Sequence, residues 1–300
     1  MSSSRRGRGL RNVAAYAALL PMAATVLLAY LGTMAWSVKV SFTSSRTLPV
    51  DNFVGLMQYT KLFETERWML SLQNMALFGV LFIAGCMVLG FALAVFIDQR
   101  VKGEGVLRTV FLYPYAMSFV ATGLVWQWLL NPELGLQSTV RGWGFESFTL
   151  DWIVQQDAVM YAIALAAVWQ ASGLVMALML AGLRGIDDSL WKAARIDGIP
   201  PWRVYVSIVL PMLGPSIGTA LVLLSVGVVK VFDVVVAMTQ GGPGLASEVP
   251  AKFIMDNLFG RANIGLASAA STVLLATVLA VVAPWLYARH RASAKSEAHG

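Results

Sequence analysis

Charged residues are scarce in this sequence. Asp, Glu, Lys and Arg make up 13% of its 300 residues, whereas hydrophobic residues make up 58%. Soluble domains average about 25% charged and about 45–50% apolar residues. This composition excludes a soluble globular domain. Because the hydrophobic residues fall into runs of membrane length, it predicts an all-α polytopic membrane protein.

Residues for catalysis and metal binding are equally scarce. The single cysteine, Cys86, lies inside an apolar run, which excludes a disulfide framework and a cysteine metal cluster. The two histidines, His290 and His299, lie in the C-terminal tail. No lysine follows a glycine at the spacing of a phosphate-binding P-loop, and no serine, histidine and acid are arranged for nucleophilic catalysis. We therefore expect neither an enzyme nor a cofactor or metal bound by this chain itself.

Six apolar runs are long enough to span a bilayer, which takes about 20 mainly apolar residues. The first follows four arginines at positions 5–11. Its apolar part is too long for a usual signal peptide and no small-residue cleavage site closes it, so we predict an uncleaved first helix. No soluble domain or linker is visible, which predicts one transmembrane domain over residues 1–300. The predicted spans cover about residues 13–36, 73–97, 107–130, 159–181, 206–229 and 264–288.

The distribution of basic residues predicts the orientation of these spans. If the N-terminus lies inside, 14 Lys and Arg fall in the inner segments and 8 in the outer ones. Basic residues are enriched on the cytoplasmic side, so both termini are predicted to be cytoplasmic. The net charge of +6 therefore reflects topology and does not indicate nucleic-acid binding.

The outer loops carry features of a membrane surface. Trp68, Trp143 and Trp152 lie there, and tryptophans in such loops are typical of the membrane–water interface. Residues 51–63 are expected to form a short amphipathic surface helix.

A polar stretch, Leu183 to Pro211, interrupts the apolar sequence and is predicted to form two short helices. Leu190, Ala193, Ala194 and Ile196 can share one face of the first, since residues three and four apart are neighbours on a helix. Gly198 is expected to end it, and Pro200-Pro201 to begin the second. The stretch is too polar to cross a bilayer. It must therefore lie at the membrane surface or dock on a partner.

Polar residues near the fourth and fifth spans are candidates for a transport path. Trp169, Gln170 and Ser172 fall within one helical turn, and an aromatic ring beside an amide and a hydroxyl suits a sugar. Packing between helices, with interhelical hydrogen bonds, explains them equally well. Lys230 and Asp233 either pair on one face of the fifth span or mark its solvated outer end.

The interrupted stretch resembles the "EAA" signature of permease subunits from binding-protein-dependent ABC importers. Ala193-Ala194, Gly198 after three residues, Ile208 after nine more and Leu210-Pro211 carry the resemblance, with Asp197 before the glycine. The chain departs from the signature at Lys192, which stands where the family has its glutamate. An ion pair made through that glutamate is therefore not available here.

The rest of the chain resembles sugar permeases of the maltose-type group. The residues that carry this resemblance are Phe53-Val54-Gly55-Leu56, Tyr59, Asn74, Arg108, Phe111, Tyr113-Pro114, Trp126, Asn131-Pro132, Gly135, Trp169, Phe232-Asp233, Thr239 and Gly241-Gly242-Pro243. Three further segments are similar to glucose/mannose or α-glucoside permeases: Asp98-Gln99-Arg100, Trp128-Leu129-Leu130-Asn131-Pro132 and Gly242-Pro243-Gly244 with Ser247-Glu248-Val249-Pro250-Ala251.

The resemblance implies the six-helix fold of a type I ABC importer permease in the inner membrane. Its partners would be a second permease in a heterodimer, two ATP-binding subunits that hold ATP and Mg, and a periplasmic or lipid-anchored binding protein that delivers a sugar. The fourth and fifth spans would line the sugar site. The coupling helix would dock on the ATPase through Lys192, Ala193, Ala194, Asp197, Gly198, Ile199 and Trp202.

Three other functions compete with this interpretation. An ABC permease for a polyol, glycerol phosphate or amino acid would share the same signature. A secondary transporter driven by an ion gradient would carry buried acids inside its spans, and no acid lies well within a predicted span. A purely structural membrane protein would not need a docking loop.

Overall fold

The computed structural model describes residues 18–99 and 101–297, with side chains given up to residue 280 and at Ala283. The arginines at 5–11, the first residues of the first predicted span, Arg100 and His299 lie outside the described residues. The side chains of His290 and of the basic residues predicted for the C-terminal segment are likewise not described.

The described chain is almost entirely helical. An isolated bridge between Thr43 and Phe53 is its one β pairing. The helices are α1 (Ala18–Ser41), α2 (Met57–Glu64), α3 (Glu66–Asp98), α4 (Glu104–Ala116), α5 (Phe119–Leu129), α6 (Leu136–Gly142), α7 (Val159–Leu183), α8 (Asp188–Ile196), α9 (Pro201–Met212), α10 (Gly214–Val229), α11 (Phe232–Thr239), α12 (Pro250–Met255) and α13 (Ile264–Glu297).

Within the described residues, three helices are long and apolar enough to cross a membrane: α1, α3 and α7. Two bent helix pairs, α4–α5 and α9–α10, raise the number to five if each pair is one span. The sixth predicted span falls in α13, whose apolar part, Ile264–Ala280, is shorter than the others. The number and bounds of six spans therefore stay a prediction.

The predicted span 107–130 is not one helix, because α4 and α5 meet at an angle of 98°. Pro114 lies in the last turn of α4, and Met117 and Ser118 after it are extended (ψ 152° and 148°). Ser118 then starts α5 by accepting a hydrogen bond from the Ala121 backbone N–H at 3.1 Å. Pro114 has no N–H to bond the Val110 carbonyl, which weakens the last turn of α4, and the serine cap favours the start of a new helix.

The predicted span 206–229 is also bent, by 72° between α9 and α10. The bend lies at Leu213 (ψ 6°), between Pro211 near the end of α9 and Pro215 in the first turn of α10. Proline is tolerated in a first turn but disrupts a helix interior. Two prolines so placed end one helix and begin the next.

The chain consists of two compact units. One holds residues up to Glu64 together with Ile254–Leu275, and the other holds Thr65–Phe253 and the residues from Ala276.

In the first unit, none of the residues in the apolar 18-residue segment of α1 is buried. The predicted surface helix 51–63 is found as α2, with Gln58 and Leu62 buried. Gln58 Nε2 donates to the Thr43 carbonyl at 2.9 Å. The Gly265 backbone N–H donates to the Ser45 carbonyl at 2.8 Å.

In the second unit, α7 is the central helix and is buried on most of its surface. Its hydrophobic residues surround the helix on all sides, which is typical of a helix enclosed by others. Small residues allow close packing: a Cβ on Gly90 of α3 would lie 2.6 Å from Val175 of α7. The position of α7 determines how the neighbouring helices lie.

One aromatic residue lies elsewhere than predicted. Trp68 is not at a membrane interface: it is fully buried and packs against Phe253, with ring centroids 5.2 Å apart. Trp143 is exposed, as the prediction requires. The prediction fails for Trp68 because this residue belongs to α3, and its side chain packs inside the protein.

Candidate functional site

The segment from Leu183 to Pro211 forms the two predicted short helices, and each boundary has a local cause. At the start of α8, Asp187 Oδ1 accepts a hydrogen bond from the Ser189 backbone N–H at 2.7 Å. This bond lowers the pKa of Asp187 below its ordinary value, because it stabilises the ionised carboxylate. Asp188 adds a second negative charge in the first turn, where the helix dipole favours it.

At the end of α8 the chain turns through Gly198. Its φ of +67° lies in the left-handed region. The Gly198 N–H donates to the Arg195 carbonyl at 3.2 Å, and the Ile199 N–H to the Ala194 carbonyl at 3.0 Å. These bonds satisfy carbonyls that a helix end leaves without partners. The predicted glycine turn is confirmed, and Pro201 occupies the first position of α9, as predicted.

The two faces of α8 differ in burial. Ala194 is buried, Leu190 is half-buried, and Trp191 packs on Tyr205 with ring centroids 5.3 Å apart. Ala193 is exposed and Ile196 is 86% exposed, so the prediction that these two share one face with Leu190 and Ala194 is wrong. Ile196 lies about 200° around the helix from Ala194, at 100° per residue.

The outward face presents most of the predicted docking residues. Lys192, Ala193, Asp197 and Gly198 are exposed, and Trp202 is 68% exposed. Ala194 is buried, and Ile199 is half-buried against the core. Large apolar side chains exposed beside polar ones at a chain turn are typical of a contact surface.

A polar cavity of about 850 Å³ lies beside α8. It is lined by Asp98, Gln99, Val101, Glu104, Leu183, Arg184, Ile186, Asp188, Trp191, Lys192, Arg195 and Tyr205. Glu104 accepts from Arg108 at 3.1 Å and from Arg184 at 2.6 Å, which joins the start of α4 to the end of α7. The i, i+4 spacing of Glu104 and Arg108 was visible in the sequence, whereas the bond to Arg184 depends on the fold.

Lys192 lines this cavity but has no ion pair among the described residues. Asp188, four residues earlier on the same helix, lines the cavity as well and forms none with it. The lysine is therefore available at the surface for an outside contact.

The structure separates the three predicted path residues on α7. Trp169 is 36% exposed and meets Trp126 of α5 edge to face, with centroids 5.9 Å apart. Gln170 is 1% exposed, and its Nε2 donates to the Met117 carbonyl at 2.8 Å. Ser172 is buried and its hydroxyl points to the Trp169 carbonyl of its own helix at 3.4 Å. Of the three, Trp169 alone has a substantial exposed area.

Lys230 and Asp233 do not pair in the structure. Lys230 follows α10 and Asp233 lies in the first turn of α11. Both are exposed, and neither has an ion pair among the described residues. This favours the predicted alternative in which they mark a solvated helix end.

A buried ion pair was not predicted from the sequence. Arg67, at the start of α3, donates to Glu248 Oε1 through Nε at 3.0 Å and Nη2 at 2.7 Å. Glu248 is fully buried, and Lys252 Nζ lies 3.9 Å from its other oxygen. Asn74 Nδ2 donates to the Ala246 and Glu248 carbonyls. More than 170 residues separate Arg67 and Asn74 from these partners, so local spacing held no indication of either contact.

Comparisons with known proteins agree with this arrangement. Residues 102–294 match the model of a family described as the binding-protein-dependent transport system inner membrane component. A probable ABC transporter permease protein of Pyrococcus horikoshii is 36% identical over 258 residues, covering 84% of this chain and 87% of that protein. The xylose/arabinose import permease protein of Haloferax volcanii is 30% identical over 268 residues, covering 88% of this chain and 84% of that protein.

The fold matches that of a solved transporter. In the structure of a bacterial alginate ABC transporter in complex with alginate pentasaccharide-bound periplasmic protein, one chain superposes with a TM-score of 0.79 at 21% identity. The match covers 93% of this chain and 94% of that one. The predicted all-α permease fold is confirmed.

Proposed function

This chain belongs to the family of binding-protein-dependent transport system inner membrane components, and from that membership we propose that it is the permease subunit of an ABC sugar importer. A periplasmic or lipid-anchored binding protein hands the sugar over, and two separate ATP-binding subunits hydrolyse ATP with Mg. A second permease completes the pathway as a heterodimer with this chain. Both termini lie in the cytoplasm, as the distribution of basic residues predicts.

The observation that carries this proposal is the exposed end of α8. Asp187 caps the helix at one end and Gly198 turns the chain at the other, while Ile196 and Trp202 are left uncovered. A short rigid helix with exposed apolar side chains suits a cleft on another protein. We propose that this cleft lies on the ATPase, and that closure of the ATPase dimer moves α8 as a lever.

The docking contact is proposed to depend on shape and apolar area. Lys192 replaces the signature glutamate, and no acid within the described chain neutralises it. Exposed ion pairs contribute little to binding, in the range of about 0–1 kcal/mol. Ile196 and Trp202 offer apolar area that is removed from water on docking, at roughly 25 cal/mol per Å².

A sugar is the proposed substrate. The Haloferax volcanii relative is named for xylose and arabinose, and Trp169 offers a partly open aromatic ring beside Trp126. Aromatic faces and directed hydrogen bonds are how proteins hold sugars. We place Trp169 in the path in direct contact with the sugar, and Gln170 and Ser172 beside it on the same helix. Lys230 and Asp233, which are exposed, would mark the outer end of the path. Within this class, glucose/mannose or α-glucosides are the substrates that the sequence segments favour.

Reconstitution of the complex in proteoliposomes tests the proposal. With ATP inside and the cognate binding protein outside, labelled sugar should accumulate, and omission of either should stop uptake. Ionophores that collapse ion gradients should leave the rate unchanged. Uptake that continues without ATP and stops with the ion gradient would identify a secondary transporter. Uptake of a polyol or amino acid in place of sugar would move the substrate to the alternative class.

A further inference from the structure

The bend between α4 and α5 leaves the Met117 carbonyl, like the last carbonyls of α4, without a helical partner. In a continuous helix the Met117 carbonyl would accept from the Ala121 N–H. That N–H is instead bonded to Ser118 Oγ at 3.1 Å. Met117 is half-buried, and a carbonyl withdrawn from water is stabilised by a donor from elsewhere. Gln170 of α7 supplies it through Nε2 at 2.8 Å.

One turn of α7 holds both halves of the bent pair. Trp169 packs on Trp126 of α5, and Gln170 bonds the carbonyl at the bend. Gly173, three residues on, lies so close to α4 that a Cβ there would be 2.1 Å from the Phe111 carbonyl oxygen. Of these three contacts, only the Gln170 hydrogen bond depends on the orientation of a backbone group, because the Met117 carbonyl must point towards α7 to accept it.

The opposite end of α4 lies at the cavity beside α8. Glu104, in its first turn, lines that cavity together with Lys192 and Arg195 of α8, and bonds Arg184 at the end of α7. The 13 residues of α4 span about 20 Å at 1.5 Å per residue. This helix therefore forms a rigid connection between the surroundings of α8 and the bend at Met117.

Gln170 itself is incompletely satisfied. It is 1% exposed, and its Oε1 has no hydrogen-bond partner among the described residues. Thr122 Oγ1, one turn into α5, is also buried without a partner there. Within the described residues, the Nε2 bond is thus the side-chain hydrogen bond by which Gln170 holds the bend.

We propose that Gln170 is a positioning residue that fixes the angle between α4 and α5, and that its bond to Met117 couples movement of α8 to opening of the sugar path. This role rests on the proposed transport function. It differs from sugar contact, because the amide is turned away from the accessible side of α7. Gln170 then affects every substrate equally.

Pulsed electron resonance tests the proposal independently of transport. With Cys86 replaced by alanine, spin labels at the exposed residues Val110 of α4 and Leu124 of α5 report the bend angle in nanodiscs. Gln170→Leu, which cannot donate, should broaden or shift the distance distribution. Thr109→Val should leave it unchanged, because the Thr109 hydroxyl bonds within its own helix, to the Gly105 carbonyl.

Transport supplies the second measurement. Gln170→Leu should lower the amount of sugar moved per ATP hydrolysed by about fivefold or more, the lower range of typical coupling energies, and equally for every sugar carried. Gln170→Met, which keeps the length of the side chain but has no donor, should behave likewise. An unchanged distance distribution in both variants would overturn the proposal, as would a loss confined to one sugar. Absence of wild-type uptake would refute the transport function and leave the distance result valid.

Discussion

Two breaks in the apolar helices of this chain, the polar stretch around α8 and the bend between α4 and α5, are built in opposite ways. The polar break around α8 is exposed and is formed by its own residues, from the cap at Asp187 to the turn at Gly198. The bend between α4 and α5 lies against α7, and Gln170, 53 residues away in sequence, satisfies the carbonyl there. Local contacts within α8 and its turn stabilise the first break, and a tertiary contact with α7 stabilises the second.

This difference separates two functional needs. A surface that docks on another subunit must keep its shape without support from that subunit, and local caps provide this. A bend inside a transporter must be able to change, so a single long-range hydrogen bond is a suitable support because it can be released. Variants in the two regions should therefore affect different properties.

The largest expected effect is the loss of ATPase docking in Gly198→Asp. A carboxylate buried in a fitted interface without a partner costs several kcal/mol, so docking should weaken by about a hundredfold or more. Membrane insertion should be unchanged, and thermal stability should fall only by the strain of a non-glycine residue at positive φ, about 1–2 kcal/mol. Co-purification of the ATPase measures the effect.

Gly144→Asp is the matched control. Gly144, at φ +98°, also has a positive φ and open space around it, so Gly144→Asp introduces backbone strain at a site outside α8. Retention of the ATPase by Gly198→Asp, at the level of Gly144→Asp, would contradict the assignment of α8 as the docking helix.

At the tertiary break, Gly173→Ala should destabilise the protein by about 1–3 kcal/mol, because the added methyl group would overlap the Phe111 backbone. ATPase co-purification should persist in the folded fraction. Gly105→Ala is the control, since a Cβ at this helical glycine meets nothing within 4 Å. Thermal melting in detergent compares the two. Equal melting temperatures would show that α7 does not require close approach here.

Trp169→Ala should lower sugar uptake by about tenfold, the effect of losing one stacking contact of 1–1.5 kcal/mol. Docking should be normal, because Trp169 is far in sequence from α8 and contacts α5. Uptake and ATPase co-purification on the same preparation measure both. Wild-type uptake would remove Trp169 from the proposed path.

The smallest effect is expected at the cap of α8. Asp187→Ala removes the acceptor for the Ser189 N–H and should weaken docking by about twofold to fivefold, as the helix start frays. The pKa of Asp187 is lowered, so the cap is fully formed above its ordinary pKa and is lost only as pH falls through the lowered value. Docking should therefore be constant from about pH 5 to pH 8. A decline within that range would point to another titrating group.

The sequence was sufficient wherever the cause of a structure is local. Composition and run length predicted the helical membrane class, and glycine and proline placement predicted the two short helices and their turn. It was insufficient for Trp68, whose burial depends on which neighbours pack against it. The error at Ile196 was one of helical period, since 100° per residue already places Ile196 away from Ala194. The sequence also predicted a continuous span at 107–130, since hydrophobic content does not reveal that Pro114 and Ser118 bend the chain.

By itself, then, the sequence determined the helical membrane class, the permease signature and the two ends of α8. Caps, turns and hydrophobic runs act over a few residues, so local sequence is enough for them. The tertiary structure alone decided that Gln170 supports a bend and that Arg67 neutralises Glu248. It also decided that Lys192 has no ion pair within the described chain. Each of these depends on groups brought together from distant positions, and a buried polar group is stable only where such a partner reaches it.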